Sequence, residues 1–459
     1  MGFGKYLEAC LKKRNISLNS AANMLELNRG DLYHIIEGKR KLKHDVFSRL
    51  VNVIPFSVEE IKKLNDLYFS DYYENDEYEK IRYICKKLQN VNKLFDVEDF
   101  VAEPFQKQFN LKNEAEILSA IYYLCQNSNG EKVVTNYSFL NKRVDGLFYK
   151  MCCDGILKEF CHIFAFNLVS TDIYNFEVLF TAFKYIYKKQ FPIYYYSELP
   201  DEDKTAYSYF CLTKDGAVLF NENSGIFVEN KQTVAQLNKK AEKIIRECKP
   251  LGAEMPDIFD RKDFYIAATS GAKSLVNFSA RPCVMSFADR SFIDAICKKD
   301  VPNREYVVHM ASEYYEAFNK NLNHIQFVTL EGIDLIFENR ECFEIPSEYA
   351  DLIPKANLRW AFEKMYEAAK ENRFFIVNTK KLTVPVDFQL EITPAGAVIC
   401  GYKTKTGEPT ERIFVLSIND KALNHTLNCF VDYLVRADLV FSKDTTLAYL
   451  SNRIVALEY

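Results

Sequence analysis

The ten residues FCLTKDGAVL (210–219) return as LEITPAGAVI (390–399), with Thr393 standing 180 residues after Thr213. In each copy two apolar runs flank a short segment ending in Gly-Ala, which reads as two strands joined by a tight turn. The surroundings repeat in the same order. Ahead of the first copy, residues 176–189 read as a helix and 191–196 as an aromatic strand. Ahead of the second, residues 358–370 and Phe374–Val377 read likewise. Downstream, Ile226-Phe227-Val228 is matched with Ile413-Phe414-Val415, and helices follow from Thr233 and from about Asp420. Nearer the start of the body, residues 113–125 read as a helix and 133–137 as a short strand. The pattern predicts an α/β (α+β) body holding two copies of one unit, residues 100–250 and 251–459.

Composition agrees with a soluble, multidomain chain: 459 residues, 48% hydrophobic and 27% charged. Gly (15) and Pro (13) are scarce, so long flexible linkers are not expected. The first thirteen residues are polar and amphipathic without a small-residue cleavage site, and no run approaches the ~20 apolar residues that span a bilayer. The expected location is the cytoplasm, with no membrane partner. Thirteen Cys at irregular spacing, with no CxxC, fit reduced thiols better than a disulfide framework.

Charge is divided unevenly. Residues 1–56 carry ten bases and five acids, a balance of +5 against −4 for the whole chain, which leaves −9 for the remainder. A basic head on an acidic body suggests that the head meets a polyanion.

That head, residues 1–69, reads as five short helices. Phe3, Leu7, Cys10 and Leu11 recur at helical spacing, with Lys12, Lys13 and Arg14 at the negative pole. Ser17 or Asn19 caps a second helix bearing Ala21 and Ala22, and Asn28 caps a third bearing Leu32, Ile35 and Ile36. Gly38 ends the third helix and a basic loop follows, Lys39-Arg40-Lys41-Leu42-Lys43. A fourth helix carries Val46, Phe47, Leu50 and Val51. A fifth starts at Ser57, with Glu60 three residues on as its reciprocal cap. Residues 70–99 read as a helical connector.

Two helices joined by about three residues inside a five-helix unit suit insertion into a major groove. The stretch from Ile16 to Arg40 resembles the Cro/phage-repressor (XRE-like) helix-turn-helix family over about a seventh of the chain. The family usually carries Gln where Leu18 stands, Gly where Glu26 stands and an acid where Ile36 stands. The resemblance implies that Arg29 and His34 face base edges, with Gly30 allowing close approach. It implies that Asn28, Lys39, Arg40, Lys41 and Lys43 hold phosphates. The expected partners are double-stranded DNA, a second copy of the chain, and a small-molecule or protein effector for the body. The expected function is a sequence-specific DNA-binding transcription regulator, not an enzyme and without a cofactor. Two alternatives stand beside it: an interaction protein with a degenerate helix-turn-helix, and an enzyme with an unrecognised site in the body.

The order of helix, strand, hairpin and helix in the body loosely resembles one half of the phospholipase-D-like fold of sugar-sensing regulators. That resemblance implies a His-x-Lys pair, but Leu212 stands two residues before Lys214, and Pro394 is no base. Among six His, none pairs as HxxxH or HExxH. Cys152-Cys153 with Cys161-His162 lacks a structural zinc spacing and reads as buried thiols, so no metal is expected. Gly271-Ala272-Lys273-Ser274 lacks the leading Gly of a P-loop. Carboxylate pairs such as Asp201/Asp203 and Glu59/Glu60 read as solvated. The aromatic strand Phe191, Tyr194, Tyr195, Tyr196 reads as core, or as the wall of a ligand pocket.

Overall fold

Ser17, Asn28 and Ser57 each stand one residue outside an apolar-periodic segment, and each side chain accepts a backbone N–H of the turn that follows. The computed structural model describes residues 2–90, 104–165, 173–187, 193–196, 207–255, 272–321, 323–345, 348–384, 388–393, 396–403, 412–418 and 421–458. Outside them lie part of the expected connector (91–99), Phe191, Asp201, Asp203, Gly271 and Pro394. Among the described residues the chain is mixed α/β, with sixteen α-helices and two sheets.

The chain divides into two compact units. The first is helical and combines residues up to Lys86 with His425–Val440. It opens with α1 (Phe3–Lys13), α2 (Leu18–Met24), α3 (Arg29–Ile36), α4 (His44–Val53), α5 (Val58–Tyr73) and the start of α6 (Asn75–Gln89). Its core joins Leu7, Leu32, Leu50 and Leu64 to a stacked pair, Phe47 and Tyr68, with centroids 3.9 Å apart. The backbones of α1 and α3 approach so closely that a Cβ on Gly4 would lie 2.4 Å from the carbonyl oxygen of Ile36. Ser57 and Glu60 form the reciprocal cap, and the same Glu60 carboxylate takes Arg14 and Lys13. Arg14 holds the Glu60 carboxyl down at about 2.

The second unit holds both sheets. Its first half runs β1 (Asn110–Leu111), α7 (Glu114–Asn127), β2 (Val133–Thr135), α8 (Lys142–Cys153), β3 (Phe160–Ala165), α9 (Tyr174–Tyr187), β4 (Ile193–Tyr196), β5 (Tyr209–Leu212), β6 (Ala217–Phe220), β7 (Gly225–Val228), α10 (Lys231–Glu247) and β8 (Lys249–Pro250). The second half runs β9 (Gly252–Met255), β10 (Ser274–Ser279), α11 (Arg290–Ile296), α12 (Arg304–Asn321), β11 (Asn323–Thr329), α13 (Leu330–Asn339), α14 (Lys355–Lys370), β12 (Phe374–Val377), β13 (Phe388–Thr393), β14 (Gly396–Lys403) and β15 (Arg412–Ile418). The helices α15 (Lys421–Arg436) and α16 (Lys443–Ala456) follow.

Strand order makes the repetition explicit. The first sheet reads β1-β7-β6-β5-β2-β3-β4-β8, and the second, taken from its other edge, reads β9-β15-β14-β13-β10-β11-β12. In both, the central strand has a parallel neighbour on one side and an antiparallel one on the other. Pairing superposes Thr135, His162 and Cys211 on Asn277, Gln326 and Glu391. The equivalence extends to the helices. Asn238 of α10 donates to the Thr213 carbonyl at 2.8 Å, and Asn424 of α15 donates to the Thr393 carbonyl at 2.8 Å.

One sequence match is corrected by register. Leu219 pairs with Ile226, and its counterpart Ile399 pairs with Leu416, so Leu416-Ser417-Ile418 takes the place of Ile226-Phe227-Val228. Ile413-Phe414-Val415 lies three residues early because β14 is eight residues long where β6 has four. The first residues of β15 pair with that extension.

Candidate functional site

All eight side chains expected to meet DNA are exposed and lie on α3 or the loop after it: Asn28, Arg29, Gly30, His34, Lys39, Arg40, Lys41 and Lys43. Two are already engaged. Asn28 caps α3 through the Asp31 N–H at 2.7 Å, and its amide donates to the Asp31 carboxylate at 2.7 Å. Arg40 pairs with the other oxygen of Asp31. Nearby, Arg49 of α4 pairs with Glu26, the acid standing where the helix-turn-helix family usually has Gly. Asp31 thus neutralises Arg40, one of the bases expected to hold phosphate.

A second constellation lies in the body. On one face of the second sheet, Gln326 of β11, Asn277 of β10 and Glu391 of β13 stand side by side, all buried. The adjacent rungs add His324 and Thr393 on one side, and Ser279 and Gln389 on the other, again buried. The Gln389 amide donates to Glu391. Strand interiors normally bury apolar side chains, and a buried polar row needs partners to offset its desolvation. Gln326 finds them in the segment after β10. Its oxygen accepts the Cys283 N–H at 2.9 Å, and its amide donates to the Cys283 carbonyl at 3.1 Å and the Ser286 hydroxyl at 2.7 Å.

That segment leads to Glu344. Its carboxyl accepts the Met285 N–H at 3.4 Å and the Cys342 thiol at 3.4 Å, and also interacts with the Cys283 thiol. Burial pushes the Glu344 carboxyl above its usual range, and the weaker pull of these hydrogen bonds does not reverse it. Burial, followed by the Glu344 charge, pushes both thiols well up, so they stand as neutral donors. Tyr315, buried in α12, is raised in the same way. Yet Glu344 and Cys283 keep part of their surface accessible. Both groups are thus largely withdrawn from water while part of each still meets it. Arg281 enters the same segment, with its guanidinium 3.8 Å from the Phe343 ring centroid and its buried Nε without a hydrogen-bond partner.

The position suits chemistry. After β10 the chain crosses to β11 on one side and later returns as β13 on the other, and crevices at the carboxyl ends of strands where order reverses commonly bind ligands in α/β sheets. The sequence analysis singled out none of Arg281, Cys283, Gln326, Glu344 and Glu391. The available signal was a polar residue inside each of three apolar strand runs: Asn277 in SLVNFS, Gln326 in NHIQFVT and Glu391 in FQLEIT.

The first half is built differently at the equivalent row. His162 is fully buried among Tyr137, Phe139, Phe160 and Phe164, and its Nδ1 meets the Thr135 hydroxyl at 2.7 Å. Burial holds His162 down at about 3, so its ring is neutral. Beside it, Asp145 takes Lys184 at 2.5 Å and the Tyr185 hydroxyl at 2.9 Å inside the core. Cys161 and His162 point to opposite faces of β3, which separates the cysteine–histidine cluster weighed for zinc. Of the aromatic strand, Tyr194 is half-buried.

No family model matches the chain, and no curated protein matches it. Among solved structures, it is similar to a phosphatidylserine synthase of Haemophilus influenzae Rd KW20, at 10% identity and a TM-score of 0.22, over 81% of this chain and 98% of that one. That protein is titled as an enzyme, which stands against the two expectations of a sequence-specific DNA-binding regulator and of a chain that is not an enzyme. At that TM-score the likeness lends this chain neither a substrate nor a mechanism. No described helix is long and apolar enough to cross a membrane.

Proposed function

We propose that the protein is an enzyme whose active site is the recess at the carboxyl end of β10, with Glu344 as its acid and base. One observation carries this reading: a half-buried carboxyl with a raised pKa, set between two thiols at the edge of a buried polar row. A carboxyl raised above its usual range holds its proton more readily, and so is better matched to both donating and accepting one, which is what general acid–base catalysis requires. Arg281, with an unpartnered Nε, is the anchor for an acidic group on a small polar substrate. The buried Oδ1 of Asn277, without a hydrogen-bond partner, supplies an orienting acceptor, and Gln326 fixes the segment that carries Cys283. The two halves are read as loosely phospholipase-D-like. Leu212 and Pro394 leave both without that fold's His-x-Lys, so the chemistry rests on the recess instead.

The test incubates full-length protein with pooled carboxylated and phosphorylated metabolites and follows their turnover by mass spectrometry. Glu344→Gln is expected to lose turnover by about 10²–10⁴-fold, the usual contribution of a positioned acid or base. Arg281→Gln should raise KM more than it lowers kcat. No turnover by the parent protein, or full turnover by Glu344→Gln, overturns the reading.

For the helical unit, a helix-turn-helix class with an interaction role is the second reading. It is favoured by the acids Glu26 and Asp31, which occupy Arg49 and Arg40, and by Met24 and Tyr33, large side chains left exposed beside them. A pulldown with the full chain tests it: Tyr33→Ala with Met24→Ala should lose the captured protein partner, and unchanged capture removes this reading.

A further inference from the structure

Helices α6 and α15 bring three metal-ligand types together in the helical unit. His425 and Cys429 lie four residues apart on α15, a spacing that stacks both on one helix face. Glu77 of α6 completes the group, and one ligand atom from each of the three lies within 4.8 Å of the others. The His425 Nε2 to Cys429 Sγ distance is 3.7 Å. A tetrahedral zinc ion with Zn–S of about 2.3 Å and Zn–N of about 2.05 Å sets these two atoms roughly 3.5 Å apart. The pair therefore stands near its liganding separation already.

Glu77 supplies the independent observation. Lys80 takes its Oε2 at 3.1 Å, while its Oε1 is buried and without a hydrogen-bond partner. A buried carboxylate oxygen left unmatched is costly unless something polar or charged completes it. A divalent cation between Glu77, His425 and Cys429 does so. The mixed set of thiolate, imidazole and carboxylate selects zinc over magnesium or calcium, which take oxygen ligands.

We propose that Glu77, His425 and Cys429 form a three-ligand zinc site whose fourth position is open to water, on the exposed His425 side. Binding takes the proton from the Cys429 thiol and forms the zinc–sulfur bond, so one proton is released to solvent per ion bound. The site joins segments 348 residues apart between Glu77 and His425, and its occupation stabilises the helical unit by linkage.

The experiment strips full-length protein with a chelator and titrates it with Co(II), then with Zn(II) in competition. One equivalent of Co(II) should produce a thiolate-to-cobalt charge-transfer band, which zinc then abolishes. Cys429→Ser should lose the band. Glu77→Gln, which keeps the side-chain shape, should weaken cobalt binding by at least the roughly 10–100-fold that loss of an outer-shell partner costs. Circular dichroism shows that each variant is folded. Absence of the band in the parent protein, or a band unchanged in Cys429→Ser, overturns the proposal.

Discussion

Replacing Gly332 with alanine tests the close approach that builds the rim of the recess. Gly332 sits in the first turn of α13, where the Thr329 side chain caps its N–H at 3.0 Å. The Ala280 carbonyl, at the end of β10, accepts both the Thr329 N–H at 3.0 Å and the Thr329 hydroxyl at 3.1 Å. A Cβ on Gly332 would lie 1.8 Å from that carbonyl oxygen and 2.5 Å from its carbon. Carbon–oxygen contacts settle at about 3.3–3.6 Å, so α13 or the chain at Ala280 must retreat by roughly 1.5 Å. Retreat strains two hydrogen bonds worth about 1 kcal/mol each, and overpacking adds about 1–3 kcal/mol. Better helix propensity returns about 1 kcal/mol. The expected net loss is about 3 kcal/mol. Trp360, the sole tryptophan, lies on α14 and packs against Phe292 at 5.6 Å, so its fluorescence reports this half during denaturant unfolding. Gly2→Ala, where an added Cβ meets nothing within 4 Å, is the control and should leave the transition unmoved. A Gly332→Ala transition coincident with the parent would refute the packing of α13 on β10.

Two further outcomes follow from charge. His162 is held near 3 when folded against an ordinary 6.5, so its contribution is fully present above pH 6.5 and drains as pH falls toward 3. Stability should fall by up to ~1.4 kcal/mol per pH unit across that window, and His162→Gln should flatten the slope. Glutamine already serves at the equivalent Gln326. Glu60 is held at about 2, so its pairing with Arg14 stabilises the helical unit above pH 4.5 and is lost as pH falls toward 2. Glu60→Gln should cost about 2 kcal/mol at pH 7, with the gap to the parent closing below pH 4.5 in thermal melts.

The parts legible in the sequence were those governed by local rules. Caps are local, and Asn28 and Ser57 start helices where their side chains predict. The repeat was visible because FCLTKDGAVL and LEITPAGAVI share a Thr-x-x-Gly-Ala pattern between two apolar runs. Its outer strands were misaligned because strand length is set by sheet pairing, which leaves no local mark. The recess was missed for a related reason. Asn277, Gln326 and Glu391 lie on three separate strands, and only sheet pairing makes them neighbours. The basic loop after α3 was read from its charges and its place after the third helix. Sequence did not reveal that Asp31 closes onto Arg40, because a helix-start acid is equally expected to cap the dipole.

Duplication gives the argument for where function resides. The two halves share one strand order but fill the equivalent central rows differently. In the first half, His162, Thr135 and Cys211 are closed over by Tyr137, Phe139, Phe160 and Phe164, and the histidine is neutral and enclosed. Stability alone explains that row, since aromatic packing offsets the burial of one imidazole. In the second half the same three places hold Gln326, Asn277 and Glu391, with no such aromatic enclosure described around them, and the row continues into Cys283, Glu344 and Arg281. An apolar row there would avoid the desolvation cost altogether. On the proposed reading, the cost of burying Asn277, Gln326, Gln389 and Glu391 inside the sheet, with Cys283, Cys342 and Glu344 beside it, is the cost of holding a site that a bound molecule would complete, and half-buried Glu344 keeps part of its surface open to that molecule.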